Sequence, residues 1–496
     1  MTQKYPDQEV MAPGTVIISA AAHCTDIHKV IEPVVQLGEG AMYYINMSFD
    51  NYSLGGSAFG QILNKIGTVS PDVTDSAGFV TVFNAIQQLV RDGLIVAGHD
   101  IGSGGLITTL LELCFSSVDT GMNIQLNSLH CTDSIRLLFA ENAGIVFQAK
   151  NEQEKVIETI LDGQKIIYHK IGNVTANAVL SVENHGDKYN LDISQYRDIW
   201  YRTSYLLDTH QAGTDKAKER YDNYKNQPLR FHFPENFRGI KPELPQGKRI
   251  KAAIIREKGS NSEREMANAM YLAGFDVIDI HMTDLIQGRA NLEDIQFIGA
   301  VGGFSNSDVL GSAKGWAGSF RYNEKANEAL NKFFARKDTL SIGICNGCQL
   351  FMELELIYPD HNIKPKMHFN DSHKYECNFT SVTIQENNSV MLSSLAGSTL
   401  GVWVSHGEGK FVLPQEEEDY NIIAKYAYPG YPANPNGSDY NTAMMCSADG
   451  RHLVTMPHIE RSVFPWNWAY FPGKEQYEVS PWVEAFVNAR KWLEKV

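Results

Sequence analysis

Residues 341–349 read Ser341-Ile-Gly-Ile-Cys345-Asn-Gly-Cys-Gln349, and they carry the clearest prediction of the fold. An apolar run ends abruptly at Cys345, and a helical pattern of apolar residues follows at once. Glycines stand two residues before and two residues after the cysteine, as is typical of a tight turn from strand to helix in which a side chain would clash with the crowded backbone. We therefore predict that the turn lifts the thiol out of a sheet and places it at a helix N-terminus, whose dipole favours the reactive thiolate.

Two other interpretations of Cys345 and Cys348 stay open, half of a zinc site and a thiol redox pair. A zinc site needs about four ligands, and the sequence has no second Cys-X-X-Cys and no matching His pair. We therefore expect no metal site. The redox interpretation predicts a disulfide between the two thiols on mild oxidation, whereas the helical position of Cys348 should turn its side chain into the packing.

The turn at Cys345 belongs to a regular alternation of strands and helices that begins at Arg249. Short apolar strands without strict alternation, separated by amphipathic helices, predict a parallel sheet covered on both faces. We expect the chain to end in a helix that starts at Ser480 and Pro481, a favourable N-cap and first-turn pair. The predicted strands are Ile250–Ile255, Phe275–Ile280, Phe297–Val301 and Leu340–Cys345, and the predicted helices include Glu263–Ala273 and Glu324–Phe334.

The region before Arg249 is less regular and has two parts. Residues 1 to about 195 mix strands and helices, whereas residues 202–248 are polar, rich in Lys, Asn, Gln and Pro, and without a sustained apolar period. We predict an α+β domain followed by a linker or a strap on the surface. The predicted strands are Thr15–Ala20, Ala41–Met47 and Gly144–Ala149, and the predicted helices include Phe79–Asp92 and Thr108–Phe115.

The composition is that of an ordinary globular protein with two or three domains. The 496 residues are 43% hydrophobic and 20% charged, with a formal net charge of -15. Nucleic acids and anionic membranes are bound through basic patches, so this charge disfavours both as the main partner. Seven cysteines, an odd number spread over the chain, do not form a disulfide framework. No apolar run has the length of a membrane span, and we expect a reduced, cytoplasmic protein.

His458 and Glu460 are the predicted partners of the cysteine. A thiolate that must release an amine needs a general acid and base, and that base usually has an orienting group. A strand-like run leads into this His-X-Glu pair, and residues i and i+2 of an extended chain point to the same side. Glu460 would then hold the ring of His458 in the tautomer that faces Cys345. The alternative is a surface His–Glu pair without a catalytic role.

A third feature, Val301-Gly-Gly-Phe-Ser305, ends another predicted strand. Two glycines at a strand end free backbone N–H groups to point into a site. We predict that the N–H groups of Gly303 and Phe304 form an oxyanion hole with the N–H group of Asn346. The thiol, the His-X-Glu pair and this loop would meet at the edge of the sheet where α/β folds place their ligands.

With these residues the C-terminal region resembles the class I, triad-type glutamine amidotransferases. The surrounding sequence is similar, over nearly the whole chain, to the large single-chain phosphoribosylformylglycinamidine synthases of purine biosynthesis. One departure is His-Ile-Glu at 458–460 in place of the usual His-Pro-Glu. The resemblance rests on Arg256-Glu-Lys-Gly259, Asp308-Val-Leu-Gly311, Gly315-Trp-Ala317, Val404-Ser-His-Gly-Glu-Gly409 and Tyr431-Pro-Ala-Asn-Pro-Asn-Gly-Ser438, and before the linker on Leu54-Gly-Gly-Ser57, His99-Asp100, Gly104-Gly-Leu106 and Phe139-Ala-Glu141.

This resemblance implies a glutaminase step that needs no cofactor, with ammonia passed on to a synthetase site. There ATP, with Mg²⁺, would drive the conversion of formylglycinamide ribonucleotide to formylglycinamidine ribonucleotide. The implied domains are a remnant of a split synthetase domain (1–40), a domain like the C-terminal one of aminoimidazole ribonucleotide synthetase (41–200), a linker (201–248) and the amidotransferase domain (249–496). The residues implied to contact glutamine are Gln349, Ser405, His406 and Gly407.

The resemblance also implies a partner. Most of the synthetase region is expected upstream of Met1 or in a separate chain, so that amidine synthesis would need this N-terminal region. Two other functions stay open: a free-standing glutaminase that serves another acceptor, and a non-catalytic subunit whose residues 1–195 dock on a partner.

Overall fold

The computed structural model describes residues 2–11, 18–117, 119–473 and 476–496. The chain divides into two compact units, Met1–Asn190 and Leu191–Val496. Each unit has its own sheet and its own buried apolar cluster. Within the described residues, no helix combines the length and the apolar composition that are needed to cross a bilayer.

The first unit is an α+β domain built on a seven-stranded sheet with the order β4-β6-β3-β7-β5-β8-β9. The pairs β3–β6, β3–β7, β4–β6 and β5–β7 are antiparallel, whereas β5 and β8 are parallel. Its elements are β1 (Thr2–Lys4), β2 (Glu9–Met11), β3 (Met42–Asn46), α1 (Ala58–Ile62), α2 (Ser76–Arg91), β4 (Ile95–Asp100), α3 (Gly105–Phe115), β5 (Gly121–Gln125), α4 (Ser134–Phe139), β6 (Gly144–Ala149), α5 (Glu154–Gly163), β7 (His169–Thr175), β8 (Val179–Asn184) and β9 (Asp187–Asp192).

The predicted strands at 41–47 and 144–149 are confirmed as the antiparallel neighbours β3 and β6. The predicted helices at 79–92 and 108–115 are also present, but both begin three residues earlier. Helix α2 begins earlier because Asp75 caps it. The side chain of Asp75 accepts a hydrogen bond from the N–H of Gly78 at 2.9 Å. The strand predicted at 15–20 lies partly outside the described residues, and residues 18–20 are not in a strand.

The second unit contains a nine-stranded sheet with the order β11-β10-β12-β13-β20-β19-β18-β15-β16. Its elements are α6 (Ile193–Gln211), α7 (Gly213–Asn223), β10 (Lys251–Arg256), α8 (Glu263–Leu272), β11 (Asp276–His281), α9 (Met282–Gln287), β12 (Phe297–Ala300), α10 (Lys314–Arg321), α11 (Glu324–Ala335), β13 (Leu340–Ile344), α12 (Asn346–Glu353), β14 (Lys366–His368), β15 (Glu376–Ile384), β16 (Thr399–His406), β17 (Lys410–Val412), β18 (Asn421–Tyr426), β19 (Thr442–Cys446), β20 (His452–Thr455) and α13 (Val483–Leu493).

The predicted parallel sheet is confirmed for the four strands β10 to β13, and β20 extends it in parallel beside β13. The sheet then continues through antiparallel pairings of β19, β18, β15 and β16, which were not predicted. The predicted helices at 263–273 and 324–334 correspond to α8 and α11. The last helix begins at Val483 rather than at Ser480, whose hydroxyl instead donates to the carbonyl of Ser462 at 2.5 Å.

The polar segment 202–248, predicted as a linker or strap, begins in two helices. Asp192 caps α6 by accepting a hydrogen bond from the N–H of Gln195 at 2.8 Å. The rings of Tyr201 and Tyr224 stack with centroids 4.1 Å apart, joining α6 to the end of α7. Aromatic contacts hold these two neighbouring helices together. The sequence therefore lacks the regular spacing of apolar residues from which a helix is usually predicted.

Helix α12 approaches the sheet so closely that only glycine fits at two positions of the turn. A Cβ on Gly347 would lie 2.0 Å from the carbonyl oxygen of Ala300, and a Cβ on Gly343 would lie 2.6 Å from the carbonyl oxygen of Gly347. Both clashes involve backbone atoms, which cannot rotate away. The two glycines therefore let β12, β13 and α12 pack backbone against backbone.

Gly347→Ala is expected to lower the free energy of unfolding by about 1–3 kcal/mol or more, because the new methyl group meets a fixed carbonyl. The measurement is thermal or urea unfolding of the purified chain. The matched control is Gly318→Ala in α10, where the nearest atom to a new Cβ is 3.9 Å away. The free energy of unfolding of that variant is expected to rise by roughly 0.5–1 kcal/mol, because alanine is more favourable than glycine in a helix interior. Equal stability of the two variants would contradict the close approach.

Candidate active site

Cys345, His458 and the loop 302–305 all lie at one edge of the parallel sheet. Strands β12, β13 and β20 are parallel neighbours, with Ala300 beside Gly343 and Ile344 beside Thr455 in register. The segments that follow these strands therefore leave the sheet on the same side. This edge is where open α/β sheets place ligands, and it brings together residues more than 150 positions apart.

Cys345 sits at the sharp turn between β13 and α12 in a conformation that non-glycine residues rarely adopt. Its φ is 51° and its ψ is -105°. Its N–H donates to the carbonyl of Thr455 at 2.8 Å, and its Sγ lies 3.5 Å from the carbonyl oxygen of Ser405. Strained backbone at a turn of this kind is characteristic of functional positions. The side chain is thus held between β20 and β16.

His458 and Glu460 lie in hydrogen-bond contact, in a local structure that differs from the predicted one. Its Nδ1 lies 2.7 Å from Oε1 of Glu460, and both side chains are buried. The prediction assumed an extended chain, whereas β20 ends at Thr455 and a short 3₁₀ turn, Ile459–Arg461, begins directly after the histidine. The N–H of His458 donates to the carbonyl of Trp403 at 2.8 Å, which ties this turn to β16.

The pair of buried side chains sets the charge of the imidazole. Burial lowers the pKa of His458, but the carboxylate of Glu460 and the neighbouring Cys345 outweigh burial and raise the pKa to about 10. Because Nδ1 is bonded to Glu460, Nε2 is the ring nitrogen that can interact with Cys345. Nε2 has no other partner among the described residues. A cationic imidazole beside a thiol favours the thiolate.

Gly302 keeps the space between the cysteine and the histidine clear. A Cβ at this position would lie 2.8 Å from Cε1 of His458 and 3.3 Å from Cβ of Cys345. The glycine therefore lies against both side chains at once. Any larger residue would push the imidazole or the thiol out of place, so the absence of a side chain is part of the geometry.

The three N–H groups predicted as oxyanion donors differ in their hydrogen bonding within the protein. The N–H of Phe304 donates to the carbonyl of Gly259 at 2.8 Å, so it is not available to a ligand. The N–H groups of Gly303 and Asn346 have no such partner in the described part of the chain. Gly303 has a φ of 117°, and a Cβ there would lie 2.6 Å from Cα of Ser260. The loop 302–305 is therefore pinned by residues 259–261, which the sequence did not predict.

The four residues predicted to contact glutamine lie on two sides of Cys345. The carbonyl oxygen of Ser405 lies beside Sγ of Cys345, and its hydroxyl shares a hydrogen bond with the hydroxyl of Tyr375. Gln349 uses both ends of its amide within the protein, as an acceptor from Asn346 and as a donor to the carbonyl of Glu408. Gly407 has open space where a side chain would be.

His406, the fourth of these residues, is buried and neutral. Burial and the nearby His458 lower its pKa to about 3. Its Nδ1 lies 3.1 Å from Oδ1 of Asn370, which also accepts the N–H of Gly409. Asn370 was missed in the sequence, because an isolated asparagine in a loop carries no spacing signal. Tyr375 was missed for the same reason.

Cys348 faces away from this chemistry. Its side chain is fully buried, and burial raises the pKa of its thiol well above the usual value. All seven cysteines are free thiols. A buried, protonated thiol reacts slowly with oxidants, so the packing of Cys348 does not favour the redox interpretation.

The glycine motifs of the first unit meet at Glu141. Its Oε1 accepts hydrogen bonds from the N–H of Ala58 at 2.7 Å and from the N–H of Gly104 at 2.8 Å. These N–H groups belong to the starts of α1 and α3, where a negative charge is favourable. The carboxylate of Glu141 thus joins the segments 54–57, 104–106 and 139–141 within this unit.

Two family models match the chain. Residues 249–493 match the CobB/CobQ-like glutamine amidotransferase domain, and residues 51–184 match the C-terminal domain of AIR synthase related proteins. The first match covers the sheet edge with Cys345, His458 and Glu460. The second covers the segments that meet at Glu141.

Curated relatives align with the chain from end to end. It is 36% identical to the probable phosphoribosylformylglycinamidine synthase, chloroplastic/mitochondrial, of Arabidopsis thaliana, over 99% of the chain and 37% of that protein. It is 34% identical to the human phosphoribosylformylglycinamidine synthase, over 99% of the chain and 39% of that protein. The chain thus spans less than half the length of these relatives.

Among solved structures, PurLQS from Thermotoga maritima aligns with 50% of this chain and 100% of that chain, at 23% identity and a TM-score of 0.40.

Glu460→Gln is expected to slow the alkylation of Cys345 by iodoacetamide at neutral pH by about tenfold or more, the effect of one pKa unit on the population of an ion pair. Without the carboxylate only Cys345 still opposes the effect of burial, so the pKa of His458 falls and the ring more readily loses the proton that favours the thiolate. The measurement is the rate of labelling as a function of pH, followed by peptide mass spectrometry.

The control for this variant is Glu417→Gln, which removes a surface carboxylate paired with Lys425. Its labelling rate should equal that of the unaltered chain at every pH. Unchanged labelling of Cys345 in Glu460→Gln across the neutral range would mean that Glu460 does not control the charge of His458.

Proposed function

We propose that this chain is the glutamine-hydrolysing part of a phosphoribosylformylglycinamidine synthase. The premise is that its two matched domains belong to the glutamine amidotransferase and AIR synthase related families, and that the whole chain aligns with synthases of this kind. The observation that carries the proposal is the meeting of Cys345, His458 and Glu460 at one sheet edge, inside the segment that matches an amidotransferase domain.

Hydrolysis of glutamine would proceed through a thioester on Cys345. The thiolate attacks the carboxamide carbon, and the C=O electrons move to the oxygen to give a tetrahedral oxyanion. His458 then gives its proton to the amide nitrogen, the C–N bond breaks, and ammonia leaves with a glutamyl thioester left behind. Neutral His458 next takes a proton from water, whose oxygen attacks the thioester. Glutamate leaves, and the thiolate and the imidazolium are restored.

Glu460 would hold His458 through both half-reactions. A carboxylate 2.7 Å from Nδ1 fixes the tautomer and stabilises the imidazolium that the resting pair requires. The N–H groups of Gly303 and Asn346 would stabilise the oxyanion, and removal of one such donor typically costs about 2.7–4 kcal/mol of transition-state stabilisation. The contacts of glutamine with Gln349, Ser405, His406 and Gly407 stay a prediction of this proposal.

The synthetase reaction is assigned to the whole enzyme. Ammonia from Cys345 would replace the amide oxygen of formylglycinamide ribonucleotide after ATP has activated it, with Mg²⁺ as the companion ion. Within the described residues, no group of three His, Cys, Asp or Glu side chains is arranged to hold a metal ion. The N–H groups of Ala58 and Gly104 are occupied by Glu141.

The proposal includes the partner and the place of action. The proposed partner is an N-terminal synthetase region, on the same or a separate chain. The domain division at residues 40, 200 and 248 and a location in the cytoplasm are part of the same proposal.

Cys345→Ala is expected to lower the rate of glutamine hydrolysis by roughly a thousandfold or more, because no other group can form the thioester. Release of glutamate from glutamine is the measurement. Cys24→Ser is the control, since Cys24 is an exposed thiol outside this unit, and its rate should be unchanged. Substantial hydrolysis by Cys345→Ala would exclude the proposed nucleophile.

Incubated alone with ATP, Mg²⁺, glutamine and formylglycinamide ribonucleotide, the chain is expected to form glutamate but no amidine. The amidine should form when the N-terminal synthetase region is supplied. The two products are followed by mass spectrometry in the same reaction. Amidine formation by the chain alone would show that the proposed division of labour is wrong.

A further inference from the structure

The side chain of Asn346 lies at the centre of a hydrogen-bonded series that the proposed reaction does not yet use. This side chain is fully buried. Its Oδ1 accepts a hydrogen bond from the N–H of Ser305 at 3.2 Å, and its Nδ2 donates to Oε1 of Gln349 at 2.9 Å. Asn346 therefore binds the loop 302–305 on one side and a residue one helical turn later on the other.

Gln349 continues the series toward the loop 406–409. Its side chain is 5% exposed, and its Nε2 donates to the carbonyl of Glu408 at 2.7 Å. The oxygen of this amide faces Asn346, and its nitrogen faces the loop. The two amides run head to tail, each using an acceptor and a donor, which no carboxylate and no hydrocarbon of similar size could reproduce.

The loop 406–409 is itself held in one shape by Asn370. The N–H of Asn370 donates to the carbonyl of Gly407 at 2.9 Å, and its Nδ2 donates to the carbonyl of His406 at 2.8 Å. The N–H of Gly409 donates back to Oδ1 of Asn370 at 3.0 Å. The series from Asn346 therefore ends on a braced loop rather than on a freely moving one.

We propose that the side chains of Asn346 and Gln349 form a strut that sets the distance between the loop 302–305, which carries the oxyanion donor Gly303, and the loop 406–409, which faces glutamine. Both are positioning residues, which act through the two loops. This inference rests on the proposed function. It gives Gln349 a role through its hydrogen bonds within the protein, and it gives the side chain of Asn346 a role apart from that of its backbone N–H.

A strut makes a prediction that independent contacts do not. If Asn346 and Gln349 act as one unit, losing either side chain releases both loops, and losing the second adds nothing further. Misplacement of a reacting group by about 1 Å can cost on the order of a hundredfold in rate. The loss should appear in kcat, because the oxyanion donor moves, and in KM, because the glutamine loop moves.

The first test is a double-mutant cycle on glutamine hydrolysis with Asn346→Ala, Gln349→Met and the double variant. Each single change is expected to lower kcat/KM by about tenfold to a hundredfold, and the double variant should match the worse single variant. Single effects that multiply in the double variant would overturn the strut. Failure of the unaltered chain to hydrolyse glutamine would count against the proposed function and leave the second test to judge the strut.

The second test is hydrogen exchange of the backbone amides, read by mass spectrometry, which needs no activity. Asn346→Ala and Gln349→Met are each expected to speed exchange in peptides covering both 302–306 and 405–409. The matched control is Asn488→Ala, which also removes two hydrogen bonds, to the carbonyl of Met391 and the hydroxyl of Ser394. It should leave both loops and the rate of hydrolysis unchanged. Faster exchange in only one of the two loops in either strut variant would overturn the proposal.

Discussion

The structure of the second unit depends on one steric constraint, the direct packing of helix α12 on the sheet. At Gly347 the helix backbone comes so near to Ala300 that a single methyl group would overlap a carbonyl oxygen. This approach forces the abrupt reversal at Cys345, and the reversal produces the positive φ of that residue. The sharp turn then leaves the thiol at the helix N-terminus and directs it toward β16 and the end of β20.

The second constraint on the site is electrostatic. A buried imidazole is normally neutral, because burial disfavours charge. Here the buried carboxylate of Glu460 reverses that preference for His458, whereas His406, with an amide partner and a cationic neighbour, stays neutral. Two histidines near one site thus have opposite charge states, because the carboxylate of Glu460 keeps His458 charged whereas burial and the nearby His458 keep His406 neutral. Only the charged one can deliver a proton to a leaving amine.

Much of the fold and of the candidate site could be predicted from the sequence, and each missing prediction has a definite physical cause. The turn at Cys345 was predictable because two glycines and an abrupt change of period mark it locally, and the parallel strands were predictable from their apolar runs. The antiparallel strands β15 to β19 were missed because their pairing is set by tertiary contacts. The hydrogen bond of the Phe304 N–H, a predicted oxyanion donor, was missed because the carbonyl that accepts it belongs to Gly259, 45 positions earlier. Asn370 was missed because its role depends wholly on the loops around it.

The most direct test of the account is to trap the covalent intermediate. The chain is mixed with glutamine, quenched in acid within one turnover, and analysed by intact-mass and peptide mass spectrometry. The account predicts a mass increase of one glutamyl group on the peptide that contains Cys345, and none in Cys345→Ala. Glutamate release without such an adduct, or an adduct on any other of the seven cysteines, would contradict the assignment of Cys345 as the nucleophile.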